Sequence, residues 1–169
     1  MSRQITFKEN KLTLTGRELK VGDSLPNFKV TGTDMADLDS STFKGKALLI
    51  ATVPSLDTPV CSIETKRFNT EIGKLGSAAA GLTLSLDLPF AQKRWCGAEG
   101  VSNVTTGSDY KHHSAGESLG VFIKEWALLG RAVFVVDKSG KLTHVEYVGE
   151  VSAEPNYEAA IAALKKAAA

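Results

Sequence analysis

The chain has 169 residues, 43% of them apolar and 23% charged, and a net charge of +1. That length accommodates one domain, read as residues 1–169, with a true hydrophobic core, and the balance excludes a disordered tract. With no cationic surplus, nucleic-acid and anionic-membrane binding are set aside, and no apolar run reaches the roughly 18 residues that span a bilayer.

Met1 to Lys11 is polar and mixed in charge, without the apolar centre of a secretory signal, so a cytoplasmic protein is expected. Ile5–Phe7 and Leu12–Leu14 alternate apolar and polar around Glu9-Asn10, which predicts an N-terminal β-hairpin. Val21 to Pro26 reads as loop, Phe28 to Val30 as a short strand, and Met35 to Thr42 as polar and turn-rich. Ala47 to Val53 is an apolar run, with Thr52 its one polar residue, that stops at Pro54, as a central strand covered on both faces does. A helix follows, with Thr58 as N-cap, Pro59 in the first position, and Val60, Ile63, Phe68, Ile72 and Leu75 at helical spacing. Gly81 to Leu86 is the next strand, completing a βαβ unit.

Beyond Asp87–Phe90 a short helix is expected to end near Gly97, and Ser102 to Gly116 is polar and irregular. Leu119, Val121, Phe122 and Trp126 predict a short helix or turn. Arg131 to Asp137 is a second buried strand, turned at Lys138–Lys141 onto an antiparallel partner, Leu142 to Val148. Pro155 to Ala167 is a helix with Tyr157, Ile161 and Leu164 on one face. The order hairpin, β, α, β, α, ββ, α predicts an α/β, thioredoxin-like fold, with a central mixed sheet flanked by helices.

Two cysteines, Cys61 and Cys96, lie 35 residues apart. A structural bridge closing that loop would stabilise the fold by roughly 4 kcal/mol. In a reducing compartment, however, a lone disulfide is more often transient and catalytic. With Thr58 as N-cap, Cys61 occupies the third helical position, among unpaired backbone N–H groups at the positive end of the helix. Both favour the thiolate, which is the nucleophilic form. An inert buried cysteine behind an ordinary Thr-Pro helix start is the competing reading.

Pro54, Thr58 and Cys61 in the spacing P-x-x-x-T-x-x-C resemble the peroxidatic motif of the peroxiredoxins. The longer similarity is to their thiol peroxidase branch. It is carried by Ser55 to Cys61, Asp87 to Ala91, Cys96 to Gly100, Arg131 to Asp137 and Glu154 to Tyr157. This resemblance implies an atypical 2-Cys peroxiredoxin that reduces hydrogen peroxide and organic hydroperoxides. Cys61 would attack the peroxide and become a sulfenic acid, and Cys96 would condense with it to an intramolecular disulfide. Thioredoxin would restore both thiols. Thr58 would hold the peroxide oxygens, Arg131 would stabilise the thiolate and the developing charge, and Pro54 would shield the sulfur. By sequence alone Arg67, a turn and a half beyond Cys61, is as attractive a cation as Arg131. The family position selects Arg131. The resemblance also implies a homodimer with the active-site loops near the interface.

No cofactor or metal is expected. His112-His113 with Cys96 matches no common zinc spacing, Gly76 to Gly81 lacks a phosphate-loop ending, and the cysteines do not form CxxC. Phe43, Leu56 and Phe90 either line an apolar substrate pocket or belong to the core. The alternative function is a redox sensor that uses the same cysteine pair to signal to a partner. The disulfide switch predicts that the first turn around Cys61, the Cys96 segment, or both unwind on oxidation. Trp95 should then change environment.

Overall fold

The computed structural model describes residues 2–169. The expected hairpin is β1 (Arg3–Phe7) and β2 (Asn10–Thr15), with Ile5 opposite Leu12. Two short strands, β3 (Lys29–Thr31) and β4 (Asp37–Asp39), precede the buried strand β5 (Ala47–Thr52). Helix α1 (Pro59–Leu75) leads to β6 (Ala79–Ser85), and helix α2 (Pro89–Glu99) to β7 (Thr105–Ser108). Helix α3 (Ser114–Leu119) and the strand pair β8 (Phe122–Ile123) and β9 (Leu128–Leu129) come next. Strands β10 (Ala132–Val136) and β11 (Leu142–Tyr147) and helix α4 (Tyr157–Ala168) complete the chain.

The main sheet has seven strands in the order β11-β10-β5-β6-β7-β3-β4. β5, β6 and β7 run parallel, and the outer pairings are antiparallel. Every residue of β5 and β10 is buried, because helices and loops cover both faces. One face carries Leu49, Ala51, Val133 and Val135 against Phe68 and Ile72 of α1, Trp95 of α2, and Ile161 and Leu164 of α4. The other carries Leu48, Ile50, Leu82 and Phe134 against Leu19, Phe28 and Leu119. The hairpin joins β8 and β9 in a separate four-stranded sheet, whose buried residues Ile5, Leu12, Leu14 and Ile123 form a third cluster. The fold is thus the expected thioredoxin-like one, a mixed sheet flanked by helices with an N-terminal hairpin.

Three stretches differ from the sequence expectation. Ser102 to Gly116 is not irregular throughout: it contains β7 and the start of α3. The sequence Thr-Thr-Gly-Ser has no apolar signature, and polar partners satisfy the strand. Gln92 Nε2 donates to Gly107 O at 3.0 Å, and a Cβ on Gly107 would stand 2.6 Å from Val30 Cγ2. Met35 to Thr42 holds β4 and a 3-10 turn, Ser40–Phe43, capped by Asp39. After Gly120 ends α3 in the left-handed region (φ 68°), Phe122 and Leu129 pair as a small hairpin rather than a helix.

The buried face of α1 also differs. It consists of Cys61, Glu64, Thr65, Phe68 and Ile72, while Ile63 is 52% exposed. An apolar-periodicity rule excludes a glutamate from such a face. Glu64 enters it because a cation from another element meets it there.

Candidate active site

The strand β5 delivers the chain to Pro54, which is buried at its end. The following loop is pinned by one carboxylate. Asp87 Oδ1 accepts from Ser55 Oγ at 2.6 Å, and Asp87 Oδ2 accepts from Leu56 N at 2.8 Å and Ser85 Oγ at 2.7 Å. The segment before α2 thereby holds the segment before α1. Thr58 then takes the N-cap position in extended conformation (φ −107°, ψ 147°), and Pro59 starts the helix. The Thr58 side chain does not cap. Its hydroxyl donates to Ser55 O at 2.9 Å and is exposed, which leaves the oxygen's remaining acceptor capacity facing outward.

Cys61 follows in the first turn of α1 with no exposed surface. Thr65 Oγ1 donates to Cys61 O at 2.8 Å and keeps this turn closed. Arg131 enters from the residue before β10, and its side chain is 2% exposed. Nη2 donates to Cys61 Sγ at 3.3 Å, and Nη1 donates to Glu64 Oε2 at 2.6 Å. Nε and Nη2 also donate to Val151 O, at 3.2 and 3.0 Å. Burial works against the guanidinium charge, but the acidic groups Glu64 and Cys61 outweigh it and hold the Arg131 pKa above its ordinary value. Arg67, the competing cation, points elsewhere: Nη2 lies 2.7 Å from Glu158 Oε1, and the guanidinium covers the Tyr157 ring at 4.2 Å.

Cys96 occupies the last turns of α2, half-buried, beside the cluster that contains Cys61. Its Sγ has one polar neighbour, Thr106 Oγ1 at 3.9 Å, and burial pushes its thiol pKa up. It borders a cleft of about 430 Å³ that residues 32–34, 36–38, 101–102 and 104–106 also line. Both thiols are free. The structure puts Arg131 on Cys61, with Thr58 at the start of the same helix and Pro54 at the end of β5, and sets Cys96 on α2.

Two residues of this site escaped the sequence reading. Glu64 stands three positions after Cys61, on the same helix face, and that spacing was the available signal. Asp87 opens the motif around the second cysteine, but nothing in the sequence shows that it reaches Ser55. Phe43, Leu56 and Phe90 do not line a common pocket. Leu56 is in the core on the α1 side, Phe43 packs on the opposite face of the sheet, and Phe90 is 67% exposed. His112 lies 2.8 Å from Asp37 Oδ1, and no group of three metal-ligating side chains occurs among the described residues.

A thioredoxin-like sheet that presents one enclosed thiol to a guanidinium, with a second thiol on the next helix, defines a cysteine-based oxidoreductase. Comparison with known proteins narrows this class. The family model described as Redoxin matches residues 20–161. A thiol peroxidase of Listeria monocytogenes serotype 4b (strain F2365) is 51% identical over 164 residues, 97% of this chain and 99% of that protein. The thiol peroxidase of Bacillus subtilis (strain 168) is 49% identical, over 96% of each chain. A peroxiredoxin-like protein from Aquifex aeolicus has a solved structure that superposes with a TM-score of 0.90 at 40% identity, covering 98% of both chains. A thiol peroxidase structure from Chromobacterium violaceum shares the fold at a TM-score of 0.86 and 18% identity, over 96% of this chain and 95% of that one. The chain belongs to the redoxin family and, within it, to the thiol peroxidases. It is therefore an oxidoreductase of the peroxidase class, with a peroxiredoxin fold.

Proposed function

We propose that Cys61 is the thiol that reduces the peroxide and that Cys96 resolves it. The observation that carries this reading is the 3.3 Å contact between Arg131 Nη2 and the enclosed Cys61 Sγ. A guanidinium so placed stabilises a thiolate and then the negative charge that develops on the departing oxygen. The sulfur attacks the terminal peroxide oxygen, the O–O bond breaks, and water or an alcohol leaves. The product is a Cys61 sulfenic acid. Thr58, with its hydroxyl anchored on Ser55 O, orients the peroxide oxygens, and Pro54 keeps bulk water from the sulfur. The substrates are hydrogen peroxide and organic hydroperoxides, including alkyl and lipid ones.

Cys96 attacks the sulfenic sulfur, and an intramolecular Cys61–Cys96 disulfide forms with loss of water. Because Cys61 is enclosed in a closed helical turn and Cys96 lies on another helix, one or both segments unwind for this step. A thioredoxin-type dithiol then exchanges with the disulfide. Ile63, Leu88 and Phe90 are 52%, 51% and 67% exposed, on the segments that flank the site. We assign these exposed apolar side chains to a homodimer interface, and two reducible thiols suit a cytoplasmic enzyme in a single domain.

The test is peroxide-dependent oxidation of thioredoxin by the wild type, Cys61→Ser and Cys96→Ser, with hydrogen peroxide and cumene hydroperoxide. Wild-type turnover, none in Cys61→Ser and a single turnover in Cys96→Ser are expected. Comparable activity in Cys61→Ser overturns the assignment. Stoichiometric oxidation of the wild type without turnover favours a redox sensor instead.

A further inference from the structure

The peroxidatic site holds one cation and two acids. Arg131 donates to Glu64 Oε2 at 2.6 Å and to Cys61 Sγ at 3.3 Å, and all three side chains lie inside the protein. Were both acids ionised, the cluster would carry a net negative charge where water cannot solvate it, which is costly. We propose that the site keeps one proton between its two acids, on Glu64 while Cys61 is a thiolate, and that Glu64 gives this proton up when the sulfur is oxidised. The inference rests on Cys61 being the thiol that reacts with peroxide.

Geometry decides which acid keeps the proton. Cys61 lies in the first turn of α1, where unpaired N–H groups favour an anion, whereas Glu64 lies a turn further in. Glu64 Oε1 is buried and has no hydrogen-bond partner among the described residues, so it is free to carry the proton. The groups that face Glu64 from other elements add negative charge. Glu146 on β11 and Glu154 before α4 both disfavour its ionisation, and only Arg131 favours it. Tyr157 of α4 is held neutral, with its hydroxyl donating to Glu154 Oε1 at 3.0 Å. Burial also keeps His144 on β11 below its ordinary value. Burial, more than any charge, pushes the Glu64 carboxyl up to about 7.

The proton balance then closes inside the site. Thiolate, hydroperoxide and the protonated Glu64 carboxyl become sulfenic acid, alcohol and the Glu64 carboxylate. The S–O bond forms, the O–O bond breaks, the alkoxide takes up one proton, and Glu64 releases one. Afterwards Arg131, no longer facing a sulfur anion, pairs with the Glu64 carboxylate alone. Glu64 is thus a positioning residue in the reduced enzyme and its proton store.

The test is a titration of the reduced protein across the neutral range. Infrared absorption follows the protonated carboxyl, identified by its loss in Glu64→Gln, and ultraviolet absorption follows the Cys61 thiolate in a Cys96→Ser background. Replacing Cys61 by Ser, or by Ala if the serine variant does not fold, should lower the Glu64 midpoint by about one pH unit or more, because the neighbouring anion is gone. Glu64→Gln should leave thiolate formation within a few tenths of a unit, since Gln resembles the protonated carboxyl already present. A Glu64 midpoint unchanged by the loss of Cys61 overturns the proposal. So does thiolate formation moved to clearly lower pH by Glu64→Gln, which would mean that a carboxylate had stood beside the thiol. Peroxide turnover by Cys61→Ser would refute the assigned role of Cys61 and leave the measured coupling standing.

Discussion

The two cysteine segments are built in opposite ways. Around Cys61, the guanidinium of Arg131, the carboxyl groups of Glu64 and Asp87 and the hydroxyl of Thr65 fix the chain at the end of a central strand. Around Cys96, α2 buries only Pro89, Gln92 and Trp95, and the sulfur has one long contact, to Thr106. Gly97 and Gly100 follow with open space at both positions. The first segment holds its sulfur in a defined electrostatic environment. The second holds its sulfur loosely enough to be lent to another place. A reaction in which one thiol waits for substrate and the other travels to it calls for that asymmetry.

The largest expected effect comes from breaking the rigid side. Arg131→Ala should lower the peroxide reaction rate about 100- to 1000-fold, as the loss of a charge-stabilising donor does. It should also destabilise the protein by about 1–3 kcal/mol, because Glu64 Oε2 and Val151 O lose the buried guanidinium that donates to them. Adding Glu64→Gln should recover little of the stability, since Gln resembles the protonated carboxyl, and none of the rate. Denaturant unfolding and single-turnover kinetics separate the two. Asp87→Ala is next. Its carboxylate takes three hydrogen bonds from Ser55, Leu56 and Ser85. Losing them should cost about 1–3 kcal/mol and slow the peroxide reaction while Arg131 remains in place.

On the loose side, Trp95 is the reporter. It is 7% exposed beside Cys96, and disulfide formation should change its fluorescence as α2 unwinds. Identical spectra for reduced and oxidised protein would contradict the unwinding. The smallest effect is in stability against pH. Glu64 holds its proton in the folded state up to about 7, against an ordinary 4.5. The folded protein therefore binds more protons than the unfolded chain across that window, and this residue's contribution to stability falls as pH rises through it. Glu64→Gln should make the unfolding free energy fall less steeply between those limits.

The rigid side was more legible in the sequence than the loose one. Strand β5 and the start of α1 could be read because Ala47 to Val53 is apolar but for Thr52 and Thr58-Pro59 marks a helix entry. Thr58 took the position but not the capping bond, because its hydroxyl turns to Ser55 O instead. Glu64 was hidden because its partner is 67 residues away, across the sheet, and no local pattern announces a pairing at that range. Strand β7 was hidden for the reverse reason. Its Thr-Thr-Gly-Ser reads as loop, and pairing with β6, the Gln92 contact and the tight approach of Val30 to Gly107 make it a buried strand. Local sequence does not separate Arg131 from Arg67, but in the structure Arg131 lies on the sulfur and Arg67 on Glu158.

The proposal that Cys61 is fixed to react and Cys96 is free to resolve can be checked by mapping the products of one equivalent of peroxide by mass spectrometry, with a sulfenic-acid trap present. The expected products are a trapped sulfenic acid on Cys61 in Cys96→Ser, and a Cys61–Cys96 disulfide peptide in the wild type. A sulfenic acid on Cys96 with Cys61 left as a thiol would contradict it.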